Sequence, residues 1–173
     1  MLIYFELSQT IDCPVDKVFA FLSNFTNMPK WNYYITSLTQ TTPGPIQHGT
    51  IFKQSRPRDI LSYEIKAFYP PHSVMVEVLP PGPLLQLAFI LTAINQNTEV
   101  AYSWQLDLRK YKLLTYLPNG RIKNWLLAIV KKIVLQKVKP AVAQNFAKLK
   151  ILLETGEVVL QDGKKVSLAL TFA

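Results

Sequence analysis

The segment from Arg121 to Glu154 constrains the fold more than any other. Ile122, Trp125, Leu126, Ile129, Ile133, Val138, Val142, Phe146, Leu149 and Leu153 recur every three to five residues, a period that places them on one face of a helix. Lysines take up much of the opposite side, so this helix is amphipathic and lies on something apolar. At about 1.5 Å per residue it runs for roughly 50 Å. Pro140 falls in its middle and predicts a bend, because the ring removes one backbone donor and crowds the preceding turn. Gly156 marks its end.

What precedes the helix reads mainly as strands. Leu2 to Asp12 alternates apolar and polar residues. A helix follows: Pro14 suits its first position, Asp16 sits where the dipole favours a carboxylate, and Val15, Val18, Phe19 and Leu22 form its apolar stripe. Asn24 to Asn27 interrupts the pattern, and a single helical turn capped by Asn27 is expected to point Trp31 inward. Six strand-like stretches follow, at 33–41, 49–56, 60–68, 74–79, 84–94 and 98–108, separated by Pro, Gly and Asn clusters. Turn chemistry at that spacing predicts an antiparallel meander. In the last stretch Val100, Tyr102, Trp104, Leu106 and Leu108 share a face, so Tyr102 and Trp104 are expected inside. Beyond the long helix, Asp162-Gly163 between Val158–Gln161 and Lys164–Phe172 is a strong hairpin signal.

Composition narrows the function. The 173 residues suit one domain. Cys13 is the single cysteine, which excludes a disulfide scaffold, and His48 and His72 leave little for a metal centre. The six glycines form no phosphate-cradling motif. No secretory signal is visible at the start and no apolar run reaches the ~20 residues of a membrane span, so the expected compartment is the cytoplasm. The net charge of +8 is one-sided. Residues 1–108 carry six basic and eight acidic groups, residues 154–173 two and three, and residues 109–153 eleven basic groups and no acid. That stretch suits an anionic membrane, nucleic acid or an acidic ligand; the plainer alternative is a solvated lysine face.

The order strand, two short helices, six strands, long helix resembles the START-like (SRPBCC) superfamily, the polyketide cyclase/dehydrase and lipid-transport family. The run Ile11-Asp12-Cys13-Pro14-Val15-Asp16-Lys17-Val18-Phe19-Ala20-Phe21-Leu22-Ser23-Asn24 carries the likeness, with Trp31, Gly49-Thr50-Ile51-Phe52 and Asn145-Phe146-Ala147-Lys148-Leu149-Lys150-Ile151-Leu152-Leu153-Glu154. The resemblance implies an α+β helix-grip fold over residues 1–154: a curved antiparallel sheet of about seven strands wraps the long helix and encloses a cavity. Residues 155–173 lie beyond the common core as a hairpin extension of the same domain, read as an added edge pair, a lid or a dimer contact. Members include carriers of lipids, sterols and hormones, ring cyclases, dehydratases and co-chaperone-type activators. They share no catalytic triad, so no catalytic residue, metal or cofactor is carried over.

Trp31, Phe52, Tyr63, Phe89, Tyr102, Trp104, Trp125 and Ile129 are the expected ligand-binding residues. Aromatic walls with a few polar tips suit an apolar ligand, and plain core packing is the competing explanation for each. The parity of the strands bearing Phe52 and Tyr63 is ambiguous. His48 and His72 sit beside turns and read as loop residues, and Arg56, Arg58, Asp59 and Glu64 as surface hairpin charges. Cys13 reads as a packing residue. The expected function is binding or transport of a hydrophobic small molecule or lipid, with peripheral contact to an anionic membrane through residues 109–139 and no nucleic acid. The alternative is a polyketide cyclase or dehydratase with polar groups in the same cavity.

Overall fold

Alternating side chains on seven strands build the inner wall of the domain. In the computed structural model, which describes residues 1–57, 59–108 and 120–168, the strands are β1 (Leu2–Ile11), β2 (Ser37–Gln40), β3 (Ile51–Ser55), β4 (Ile60–Tyr69), β5 (Ser73–Val78), β6 (Leu85–Ile94) and β7 (Asn97–Asp107). They pair antiparallel in the order β1-β7-β6-β5-β4-β3-β2, so the first strand closes on the last of the meander. Register brings Ile65, Val76, Leu87, Trp104 and Phe5 into one transverse row. Val74, Phe89, Tyr102 and Leu7 form the next. Directly opposed residues share a face, and this face is the buried one. A one-residue irregularity in β4 between Ile65 and Ala67 shifts the register there, which bends a strand and adds twist.

Helix α1 (Val15–Ser23) buries Val18, Phe19 and Leu22. Pro14 precedes its first residue, in extended conformation. The second short helix is a 3-10 segment, Phe25–Lys30, and it begins earlier than the expected turn. Its cap is Asn24, whose Oδ1 accepts from the Thr26 amide at 3.2 Å and the Thr26 hydroxyl at 2.6 Å. Asn27 instead donates to the Phe21 carbonyl at 3.0 Å. The helix starts earlier because Asn24 satisfies the Thr26 amide itself, which draws Phe25 into the helix, where it is buried together with Met28.

The long C-terminal helix spans Arg121 to Thr155 as α2 (Arg121–Ile133), a wide π turn (Val134–Val138) and α3 (Lys139–Thr155). The π turn is the structure's answer to Pro140. The Lys139 amide bonds the Val134 carbonyl, five residues back, which gives the proline ring room that a regular turn would deny it. Gly156 ends α3 in the left-handed region (φ 78°), with its amide on the Leu152 carbonyl at 2.9 Å. Helix α3 is fastened along β1: Gln9 donates to the Phe146 carbonyl at 2.8 Å, Lys150 to the Thr10 carbonyl at 2.6 Å, and the Asp12 amide to Glu154 at 2.8 Å.

Strands β8 (Glu157–Val159) and β9 (Lys165–Ser167) form a separate two-stranded sheet joined through Asp162-Gly163. Val158 and Leu160 are buried. Gln161 donates to Asn145 Oδ1 at 3.0 Å, and Asn145, only 2% exposed, donates to Asn32 Oδ1 at 2.9 Å. One buried amide on α3 thus joins the hairpin to the segment after the 3-10 helix.

Candidate functional site

Six of the eight expected lining residues are brought together. Trp31, Phe52, Tyr63, Phe89, Tyr102 and Trp104 are all buried, and the pairing of Phe52 with Tyr63 across β3 and β4 removes the ambiguity about their strands. Ring contacts link most of them. Phe89 meets Tyr102 at 4.9 Å between centroids and Trp31 and Phe25 at 6.5 Å each. Phe25 meets Phe52 at 5.4 Å, Tyr102 meets Phe146 of α3 at 5.9 Å, and Trp104 stacks on Phe5 at 5.1 Å. Such offset and tilted pairs add about 0.5–1.5 kcal/mol each beyond their burial.

Trp125 and Ile129 do not join this cluster. Trp125 is 63% exposed and Ile129 half-buried. Helix α2 turns Leu127, Val130 and the following Val134 toward the core instead. The physical reason is that α2 is apolar on two sides, and periodicity alone does not say which side the sheet receives.

Between the sheet and the 3-10 helix lies an apolar crevice walled by Phe25, Met28, Leu38, Phe52, Tyr63, Val76 and Leu87. It holds about 190 Å³ of space between atoms, part of it open to solvent, and is too narrow to seat a water molecule. Drug-sized ligands occupy pockets of about 300–1,000 Å³, so a guest here requires the walls to part. Phe25 escaped the sequence reading because it lies in the Asn24–Asn27 stretch that interrupts the helical pattern, and Met28 because the expected turn gives the inward position to Trp31. Their spacing of three residues was the available signal.

Polar groups are few on this inner side. Burial pushes the Tyr63 hydroxyl up to about 12, against smaller opposing pulls from Arg56 and Gln54. Tyr102 is driven further in the same direction by burial and then by Tyr63. Both hydroxyls therefore stay protonated at neutral pH and can anchor a ligand oxygen, but neither can serve as a base. Among the described residues the buried polar side chains outside the aromatic set are Ser23, Thr50, Gln54, Thr98 and Asn145, all uncharged.

His48 and His72 are exposed at turns. Arg56 pairs with Asp59 at 2.5 Å and Lys66 with Glu64 at 2.6 Å, pairs that keep these charges on the outside. Arg58, and residues 109–119 of the expected membrane segment, lie outside the described residues. Burial raises the Cys13 thiol above its ordinary value, with Lys17 pulling the other way, which works against a thiolate. No group of three or more His, Cys, Asp or Glu comes together among the described residues. No described helix is long and apolar enough to cross a membrane.

Comparison with solved structures shows the same architecture. The di-domain ARO/CYC StfQ from the steffimycin biosynthetic pathway aligns with a TM-score of 0.66 at 12% identity, over 89% of this chain and 52% of that one. DynU16, from the dynemicin biosynthetic locus, gives 0.60 at 18%, over 88% and 48%. Ara h 8.0201 gives 0.58 at 15%, over 88% and 98%. The chain thus spans about half the length of the first two, and at these identities the likeness is one of fold. No curated protein matches the chain by sequence. The family model described as "Polyketide cyclase / dehydrase and lipid transport" matches residues 3–154, from the second residue of β1 to the penultimate residue of α3. A seven-stranded sheet gripping a long C-terminal helix, matched over that span, makes this chain a member of the polyketide cyclase/dehydrase and lipid transport family, with the START-like helix-grip fold.

Proposed function

We propose that the chain is a cytoplasmic, non-catalytic carrier of a hydrophobic small molecule or lipid, held between the sheet and the 3-10 helix. The aromatic inner face supports this reading most directly. Phe52, Phe89, Tyr102 and Trp104 offer apolar area, and the Tyr63 hydroxyl offers a single polar anchor at the crevice wall. The crevice is too narrow for a guest as it stands, so binding proceeds by displacement of the wall that stands outside the paired sheet. Phe25 and Met28 stand on a six-residue 3-10 helix rather than on the paired strands, and their outward shift is the least costly opening. Trp31, also buried beside Phe89, moves with them.

Native mass spectrometry of protein purified without detergent, with a displacement panel of lipids and planar aromatics, tests the reading. A retained or bindable apolar ligand is the expected result. A panel in which nothing binds, even when Phe25 and Met28 are shortened to alanine, overturns it.

A second reading, a polyketide cyclase or dehydratase, is favoured by Tyr63. A protonated hydroxyl in an apolar wall can donate to a developing enolate oxygen. That reading requires a partner base, and the buried described side chains offer none that is charged. Turnover of a linear poly-β-keto substrate mimic that is lost in Tyr63→Phe would establish it in place of the carrier.

A further inference from the structure

Helix α2 leaves an apolar stripe facing solvent. Ile122, Trp125 and Ile133 are 67%, 63% and 52% exposed, with Leu126 and Ile129 half-buried beside them. At about 100° per residue this stripe is centred roughly 120° around the helix from the Leu127–Val130–Val134 face that meets the core. A large aromatic and two isoleucines left in water on one element mark an interaction surface. Arg121 and Lys132 fall at the edge of the stripe by the same arithmetic. From Gly120 to Leu153 the chain carries eight basic residues and no acidic one.

Those two properties together select the occupant. A second copy would bring the same basic edge against itself across a two-fold axis, and nucleic acid would leave Ile122 and Ile133 without an apolar partner. An anionic bilayer satisfies both, with acyl chains for the stripe and headgroups for the cations. We propose that α2 is an interfacial helix that lies in the plane of an anionic membrane surface. Ile122, Trp125, Ile129 and Ile133 sit at the headgroup–acyl boundary, and Arg121 and Lys132 extend to the lipid phosphates. The proposal is independent of whether the interior holds a ligand, since none of the docking residues lines the crevice.

Vesicle flotation provides the test, with phosphatidylcholine vesicles alone and with about 30% phosphatidylserine, at low salt and at about 0.15 M salt. The full chain is expected to float with the anionic vesicles only, and less at the higher salt. Ile122→Ser with Trp125→Ser, and separately Arg121→Glu with Lys132→Glu, should each lower partitioning at least tenfold. All four side chains are exposed, so the variants keep the fold, checked by circular dichroism. Of the three tryptophans, Trp31 and Trp104 are already buried, so a blue shift of emission on adding vesicles reports Trp125. Equal flotation with neutral vesicles, undiminished flotation of the serine variant, or no flotation at low salt would overturn the proposal. So would a dimer that the serine variant dissociates while vesicles remain unbound.

Discussion

Phe52→Ala asks how tightly the interior is packed. Phe52 is 1% exposed, touches Phe25 ring to ring at 5.4 Å, opposes Tyr63 across β3 and β4, and borders the crevice. Most of its neighbours stand on paired strands that cannot close over the lost ring, whereas Phe25 and Met28 can follow part of the way. Truncation of a buried phenylalanine costs about 3–5 kcal/mol, and partial collapse from the 3-10 side places this site at about 3–4 kcal/mol. For a chain of this size that corresponds to a fall in Tm on the order of 10 °C. Urea unfolding should show the loss at an unchanged m-value. The widened crevice is apolar and should stay dry, so benzene or a similar small aromatic should bind it. At a ligand concentration about a hundredfold above Kd, roughly 3 kcal/mol would be recovered. A loss below about 1 kcal/mol would mean that the ring was never well packed, and absence of rescue would mean that the space collapsed; either refutes a rigid aromatic wall.

Gly82→Ala would place a methyl 2.4 Å from Val78 Cγ1, a core side chain on β5, and should cost about 1–3 kcal/mol in chemical denaturation. Asn145→Ala should cost about 1–2 kcal/mol and speed amide exchange at Leu160 and Val158, because it cuts the bridge from Asn32 to Gln161. For Tyr63, burial raises the folded value from 10.0 to about 12. Its contribution is fully present below pH 10 and is lost as pH climbs through about 12, amounting to about 3 kcal/mol over that window. Urea midpoints measured across the window should fall less steeply in Tyr63→Phe than in the parent chain, and parallel curves would contradict the assignment.

The meander was legible in the sequence because its turns are chemically explicit: proline, glycine and asparagine clusters bound β3 through β7, and strict alternation in β7 gave the burial of Tyr102 and Trp104. The inner aromatic wall follows directly from that alternation. Less could be read where structure rests on competition between local options. Asn24 and Asn27 are equivalent caps by residue type, and what separates them is that Asn24 accepts from Thr26 while Asn27 is taken up by the Phe21 carbonyl. The helical stripe is the sharper case. Trp125 and Leu127 are both good core residues, and a spacing of three to five residues is loose enough to admit either, so it does not choose between them. The 33–41 stretch shortened to β2 because Asn32 accepts from the Tyr34 amide at 3.2 Å, a local turn that competes with strand pairing.

That wide turn also sets an azimuth. Were residues 134–138 to tighten into ordinary helical geometry, everything upstream would swivel by roughly a quarter revolution about the long axis. Lys131 would then be driven toward the hydrophobic interior in place of Val130, a rotation opposed by the desolvation of its ammonium group. The π turn therefore sets the bearing of α2 at which Val130 meets the core and Lys131 keeps its ammonium group in water.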